Sequence, residues 1–438
     1  MDYGEALSWI HSIGRFGMNQ GLQRIELLLH YLGDPHKKLK FLHIGGTNGK
    51  GSTAAFAASV LEAAGYRVGL YTSPYLEQFT NRMSINGNDI PRERLVELVQ
   101  RVKPLVEKIA TESSYGHPTE FEVVTALAFC YFAAEAPDIV VLEVGLGGRL
   151  DATNTVQPLV TVITTISLEH TQVLGDTVEA IAREKAGIIK AGSPVATQAG
   201  GSALEVLQNV RREKNVHLFS LGKDFSGEKI AGDLNGQSFN YRGLRHVFSN
   251  LHIGLLGDYQ IDNAALALAA LELLEEKGFA VPEEAFRRGL HNTRWPGRLE
   301  IMRRSPLVVI DGAHNLEAFR NLRQALKRTF AYRHLILVLG ILGDKAVEEI
   351  LQEILPVADV LIITTPNSPR AAEPRDLEKI ASKMISAPVY VEENIPNAVK
   401  LALALARAPD LVLVAGSLYV ISDVRELFKK TSLKLFNA

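Results

Sequence analysis

Short, uninterrupted apolar runs alternate along the chain with longer segments of helical period. KFLHI (Lys40–Ile44), YRVGLY (Tyr66–Tyr71), DIVVLEV (Asp138–Val144), LVTVITTI (Leu159–Ile166) and PVATQ (Pro194–Gln198) read as strands. STAAFAASVLEAAG (Ser52–Gly65, stopped by Gly65), FEVVTALAFCYFAAEA (Phe121–Ala136) and TVEAIAREKAGIIKAG (Thr177–Gly192) read as helices between them. Strands apolar on both faces, alternating with helices, predict an α/β fold with a mostly parallel, doubly covered sheet. Residues from about 216 to 256 are less regular, with HVFSNLHIGLLG as a hairpin strand before the helix DYQIDNAALALAALELLEEKG. NTRWPGRLE then breaks the pattern at Pro296 and Gly297 and suits an interdomain hinge. Beyond it LVVID, HLILVLG, VLIITT, PVYV and DLVLVAG begin a second alternation. The pattern predicts a larger domain over 1–296 and a smaller Rossmann-like domain over 297–438.

The 438 residues exceed what one core supports, which agrees with two domains. A hydrophobic fraction of 47% with 22% charged residues is ordinary for a globular chain. The formal charge of −2 offers no field for nucleic acid or an anionic membrane, so an anionic ligand must be held by local groups. Cys130 is the single cysteine, in the apolar run AFCYF, so no intrachain disulfide can form. The N-terminus lacks a signal peptide's apolar stretch, and no run is long enough to span a bilayer. The expectation is a cytoplasmic protein with neither nucleic-acid nor membrane partners.

Candidate chemistry begins at FLHIGGTNGKGSTAAFAASVLEAAG (Phe41–Gly65). It resembles a phosphate loop of pattern G-x-x-x-x-G-K-[ST], but only two residues separate Gly46 from Gly49, and Gly51 stands between Lys50 and Ser52. In an open parallel sheet ligands bind outside the carboxyl ends of the strands. Four predicted strands deliver Lys50, Ser73, Glu143 and His170 to such a rim. Glycines around Asn48 let backbone N–H groups approach phosphate oxygens, and Lys50, with no other lysine near it in the loop, adds a full charge. Mg²⁺ prefers oxygen donors and keeps waters, so a carboxylate and a hydroxyl are a fitting protein share, with His170 a less usual third ligand. Taken singly, His170 reads as a packed, hydrogen-bonded histidine and Ser73 as a turn residue. Glu143 is harder to explain structurally, because an unpaired carboxylate ending an apolar strand is costly to bury.

GTNGKGS, TSPYL, LEVGLGGRLDATN, SLEH, EKAGI and DGAHN, in this order, with the opening WIHSIGRFG and GLQRIELLL, resemble the folylpolyglutamate synthase and dihydrofolate synthase group of the Mur ligase family. The resemblance covers essentially the whole chain. It implies a P-loop ATPase-type N-terminal domain and ATP-dependent joining of L-glutamate to a folate. The folate carboxylate attacks the γ-phosphate of ATP, and the glutamate amine then displaces phosphate from the acyl phosphate. Residue by residue, it implies nucleotide contacts from Thr47, Asn48, Gly49, Lys50, Gly51 and Ser52, and from Asn263, Arg298, Asp311 and His314. It implies Mg²⁺ ligation by Ser73, Glu143 and His170, and carbamylation of Lys185 by CO₂. Arg82, Phe121 and Asp151 fall on positions that border the folate. The catalytic group is thus expected to be Lys50, Lys185 and His170, in a monomer.

Structural alternatives stand beside these. Lys185 also reads as an exposed helical lysine paired with a nearby acid such as Glu184, Thr119 with Glu122 forms a capping box beside Phe121, Asp151 can cap the turn ATN, and Asn315 is an N-cap candidate. Three departures from the family pattern bear on substrate preference: Asn81 before Arg82, Ala346 after Asp344–Lys345, and Glu120 in PTEFE. Both dihydropteroate and reduced folates are expected acceptors; a monofunctional version of either activity and a non-catalytic nucleotide-binding module remain alternatives. A cell-wall Mur ligase fits poorly, because the loop begins after only 45 residues and leaves no room for a uridine-binding domain.

Overall fold

The computed structural model describes residues 1–16 and 21–436; Gly17, in the opening motif, lies outside them. The chain divides into two compact units. One comprises Met1–Ile230, Phe239–His252 and Ile261–Thr293; the other comprises Ala231–Ser238, Ile253–Gln260 and Arg294–Ala438.

The first unit is built on a sheet of eight strands: β1 (Phe41–Gly45), β2 (Val68–Tyr71), β3 (Met83–Ile85), β4 (Asn88–Asp89), β5 (Ile139–Glu143), β6 (Val160–Ile163), β7 (Val195–Thr197) and β8 (Leu218–Ser220). Their order is β4-β3-β2-β5-β1-β6-β7-β8. From β2 to β8 every pair is parallel, whereas β3 and β4 form an antiparallel edge. β1 and β5 are buried at every residue, which explains why their sequences lack alternation. One face is covered by the helices Gln23–Tyr31, Arg92–Glu112 and Glu120–Glu135, and the other by Val178–Ala186 and Gly201–Lys214. The 21-residue helix Arg92–Glu112 stands outside the alternation read from the sequence; it buries Leu95, Leu98, Val99, Val102, Val106 and Ile109 along one stripe.

The segment expected to be irregular contains a three-stranded sheet, β9 (Ser226–Asp233), β10 (Gly236–Arg242) and β11 (Val247–Ile253), in the order β11-β10-β9. Exposed residues on β9 mask its strand character, because little of it is buried.

The second unit carries β12 (Glu300–Arg304), β13 (Leu307–Ile310), β14 (Leu335–Leu339), β15 (Val360–Ile363), β16 (Val389–Val391) and β17 (Leu411–Ala415), in the order β12-β13-β17-β14-β15-β16. Only β12 runs antiparallel to its neighbour. Amphipathic helices cover this sheet, among them Leu316–Thr329, which Asn315 caps by accepting from Ala318 N at 2.9 Å. Among the described residues no helix is long and apolar enough to cross a membrane.

Candidate active site

Because β2, β5, β1 and β6 are adjacent and parallel, their carboxyl ends lie side by side. Ser73 follows β2, Glu143 ends β5, the loop Gly46–Lys50 follows β1, and Ser167–His170 follows β6. The four predicted groups therefore share one edge of one sheet.

The loop after β1 depends on its glycines. Gly46 has φ +140° and Gly49 φ +89°; a Cβ would lie 1.8 Å from Thr164 Oγ1 at the first and 2.5 Å from Asn263 Oδ1 at the second. Lys50 opens the helix Lys50–Ala63, and its Nζ donates to Gly46 O at 3.1 Å and Thr47 O at 2.9 Å. The loop is also laced to the segment after β6. Thr47 N donates to Thr165 O at 2.6 Å, Asn48 N to Thr165 Oγ1 at 3.3 Å, and Ser167 N to Thr47 Oγ1 at 3.1 Å. Ser52 is buried in the first turn of the helix.

Lys50 is not the only lysine at this loop. Lys185, near the end of the helix Val178–Ala186, is 5% exposed and donates from Nζ to Gly46 O at 2.8 Å. Two ammonium groups thus converge on one carbonyl. Burial first, and the charge of Lys50 second, bring the Lys185 amine down from 10.5 to about 7. The exposed, Glu184-paired alternative is overturned: Glu184 instead accepts from Arg149 Nη2 at 2.8 Å. The GLGGR loop packs over the helix end, where a Cβ on Gly148 would lie 2.7 Å from Glu184 O and 3.0 Å from Lys185 Cα. The helix ends at Ala186, before the predicted Gly192, and Gly187 packs on the same loop: a Cβ there would lie 2.4 Å from that of Arg149.

Glu143 is 5% exposed, and its Oε2 accepts from Ser73 N at 3.2 Å; the Ser73–Pro74 bond is cis. His170 has φ 52° at the start of the short helix Thr171–Leu174, and its Nε2 lies 3.9 Å from Glu169 Oε1. Among the described residues no three His, Cys, Asp or Glu side chains cluster as a metal cage. The hydroxyl of Ser73 and the carboxylate of Glu143 are nonetheless hard oxygen donors suited to a Mg²⁺ ion that keeps several waters.

Beside these residues lies a cavity of about 870 Å³, whose lining includes Ser73, Arg82, Phe121, Gly145, Asp151 and Leu174. The three predicted folate-bordering residues are thus brought together. Their structural alternatives also hold. Phe121 packs its ring on Gly145, where a Cβ would lie 2.4 Å from Phe121 Cζ, and Thr119 with Glu122 forms the capping box. Asp151 caps Ala152–Thr155, its Oδ1 accepting from Thr153 N at 3.0 Å and its Oδ2 from Leu146 N at 2.8 Å. Burial pushes the Asp151 carboxyl up, against these hydrogen bonds. The Arg82 guanidinium sits 5.1 Å from the Tyr75 ring and 5.6 Å from the Phe79 ring. Asn81 accepts from Gln78 N at 2.8 Å and donates to Asp89 at 2.6 Å, so a neutral amide holds this loop.

In the second unit, Asp311 at the end of β13 accepts from Leu299 N at 2.9 Å and Ala313 N at 2.8 Å. Burial raises its carboxyl, while the neighbouring Arg298 opposes the shift. Arg298 lies against Gly312, where a Cβ would be 2.2 Å from Nη1; His314 Nδ1 is 2.8 Å from Gly312 O. Asp344 pairs with Arg370 at 3.2 Å.

The Mur ligase middle domain matches residues 44–271, more than half of the chain, and the Mur ligase glutamate ligase domain matches residues 297–418. The chain belongs to the Mur ligase family. Within it, this ligase is 40% identical to the dihydrofolate synthase/folylpolyglutamate synthase of Bacillus subtilis, over 98% of this chain and 99% of that protein. The Mycobacterium tuberculosis folylpolyglutamate synthase complexed with ADP superposes with a TM-score of 0.91 at 33% identity, covering 98% of this chain and 99% of that one. Escherichia coli FolC in complex with DHPP and ADP superposes with a TM-score of 0.87 at 31% identity, covering 98% of each chain.

Sequence reading missed several groups at this ligase's sheet edge. Glu169, in the SLEH motif beside His170, also acts on the charge of Lys185. Thr165 and Gln198 lie in no recognisable motif, and GLQRIELLL does not reveal the partner of its Arg24. Arg24 forms a buried pair with Glu122 at 3.0 Å, a contact that crosses most of a hundred residues of chain and leaves no local signal.

Proposed function

We propose that this protein is a folate-type glutamate ligase that joins L-glutamate to the terminal carboxylate of a folate at the cost of ATP. Dihydropteroate is the second acceptor, which the two-activity name of the Bacillus subtilis relative supports. One observation carries the reading: Lys50 and the buried Lys185 converge on Gly46 O, at the strand edge bordered by the 870 Å³ cavity.

A carboxylate is a poor electrophile. Its oxygen attacks the γ-phosphorus of ATP, the bond to the β-phosphate oxygen breaks, and ADP leaves. The glutamate amine then attacks the acyl carbon, loses a proton, and expels phosphate. Lys50 and the N–H groups of Thr47–Ser52 would hold the phosphates and screen the approach of two anions. Ser73, Glu143 and His170 would hold a Mg²⁺ ion, which supplies charge neutralisation when bound. Asn263, Arg298, Asp311 and His314 are assigned to the nucleotide. Arg82, Phe121 and Asp151 are assigned to the folate, with Phe121 offering a ring face.

Lys185 suits carbamylation on physical grounds. An amine brought down to about 7 is largely neutral at slightly alkaline pH, and only the neutral amine attacks CO₂. The product exchanges a cation beside Lys50 for an anion, removing the repulsion at Gly46 O. Lys185→Ala should be inactive and partly restored by a small carboxylic acid in the buffer; no rescue at any concentration counts against the carbamate.

The deciding assay supplies ATP, Mg²⁺, glutamate and either dihydropteroate or tetrahydrofolate, and follows ADP release. Release that requires both acceptor and glutamate is expected. Release indifferent to them would identify a nucleotide-binding module without ligase activity, and release with one acceptor only would identify a single activity.

A further inference from the structure

Gln198 directly follows β7, and its backbone N donates to Ile163 O on β6 at 3.2 Å, so its position is set by the sheet. Its side-chain Nε2 donates to Asn263 Oδ1 at 3.1 Å. Both amides press on the α-carbon of Gly49: a Cβ there would lie 2.5 Å from Asn263 Oδ1 and 3.3 Å from Gln198 Nε2. The other end of the Gln198 amide, Oε1, is buried without a hydrogen-bond partner.

We propose that Gln198 is a positioning residue of the nucleotide site, holding the Asn263 side chain against the loop at Gly49. The proposal rests on the assignment of Asn263 to the nucleotide. An asparagine side chain on a helix turns freely about two bonds, and a hydrogen bond from a sheet-anchored neighbour restricts that freedom. The hydrogen bond from Gln198 ties the Asn263 side chain to the end of β7, beside the α-carbon of Gly49. A leucine at 198 would fill similar volume without an orphaned oxygen. The amide therefore costs stability, and its hydrogen bond to Asn263 is the compensating gain. Gly49 completes the device, because any side chain there would displace both amides from the loop.

The test is a double-variant cycle on the full chain, reading the Kd for ATP by titration together with thermal melting of Gln198→Leu, Asn263→Ala and the double variant. Gln198→Leu should weaken ATP binding about fivefold, as loss of one neutral hydrogen bond implies, while its melting temperature stays level or rises. The double variant should bind ATP no more weakly than Asn263→Ala alone, because Gln198 acts only through Asn263. The KM for glutamate should not move in Gln198→Leu. Gln198→Met, which keeps the length and neutrality of the side chain but has no N–H to donate, should weaken ATP binding as Gln198→Leu does, and it serves if the leucine variant fails to fold. Unchanged ATP affinity in both position-198 variants, or a double variant whose loss is the product of the two single losses, overturns the proposal while leaving the Asn263 assignment standing. Unchanged affinity in Asn263→Ala overturns the assignment and the proposal together.

Discussion

Lys185→Met exposes what the protein spends to keep an amine under the phosphate loop. Holding the ammonium at about 7 instead of 10.5 corresponds to about 5 kcal/mol of burial and repulsion. Lys185 is 5% exposed, so solvent screening takes little from this figure. The methionine loses the hydrogen bond to Gly46 O, an offset of about 1 kcal/mol. A net gain of about 4 kcal/mol is therefore expected where the lysine is fully charged. The pH dependence follows from the lowered value. Between about 7 and 10.5 the unfolded chain binds more protons at this residue than the folded one, so wild-type stability rises with pH across that window. The advantage of Lys185→Met should be largest below pH 7, shrink steadily above it, and vanish near 10.5, leaving a small deficit. Urea unfolding of both proteins at pH 6, 8 and 10, in buffers stripped of CO₂, measures the difference. An advantage that does not change with pH, or a variant less stable than wild type at pH 6, would refute the burial argument. Added bicarbonate should stabilise wild type only, if the carbamate forms.

Lys50→Ala removes the charge that bridges Gly46 O and Thr47 O and should abolish ADP release; retained turnover would count against the phosphate-loop assignment. Gly49→Ala sets a Cβ 2.5 Å from Asn263 Oδ1 at φ +89° and should lose about 1–3 kcal/mol of stability together with ATP binding; a variant that melts and binds like wild type would show that the loop tolerates the side chain. Arg24→Met strands the Glu122 carboxylate in the wall of the cavity and should cost about 3–5 kcal/mol in denaturant unfolding; Arg24→Met with Glu122→Gln should recover part of this, and a loss under about 1 kcal/mol in the single variant would mean that the pair is not effectively desolvated.

Much of this architecture is written locally. The strands ending at Glu143 and before Gly46 are buried along their whole length, and such runs need no tertiary knowledge to recognise. Asn315 and Thr119 cap their helices through contacts within a few residues, so they too could be read directly. The exposed strand Ser226–Asp233 could not, because its pairing partners rather than its own burial make it a strand. Asp151 and Phe121 lie between the two cases. Their local roles were visible, but only the cavity shows that the same side chains face a common space.

By itself the sequence determines an alternation of apolar strands with helices and a glycine-rich turn after the first strand. Given parallel pairing, that is enough to bring Lys50, Ser73, Glu143 and His170 to a single sheet edge. Only the tertiary structure decides the chemical state of Lys185 and the partner of Gln198. A lysine's proton affinity depends on the solvent it loses and the charges it meets. Here the fold buries the amine against Gly46 O, and Lys50 supplies the charge, both from segments remote in the chain. Periodicity reports what one segment buries; it carries no information about which distant segment does the burying.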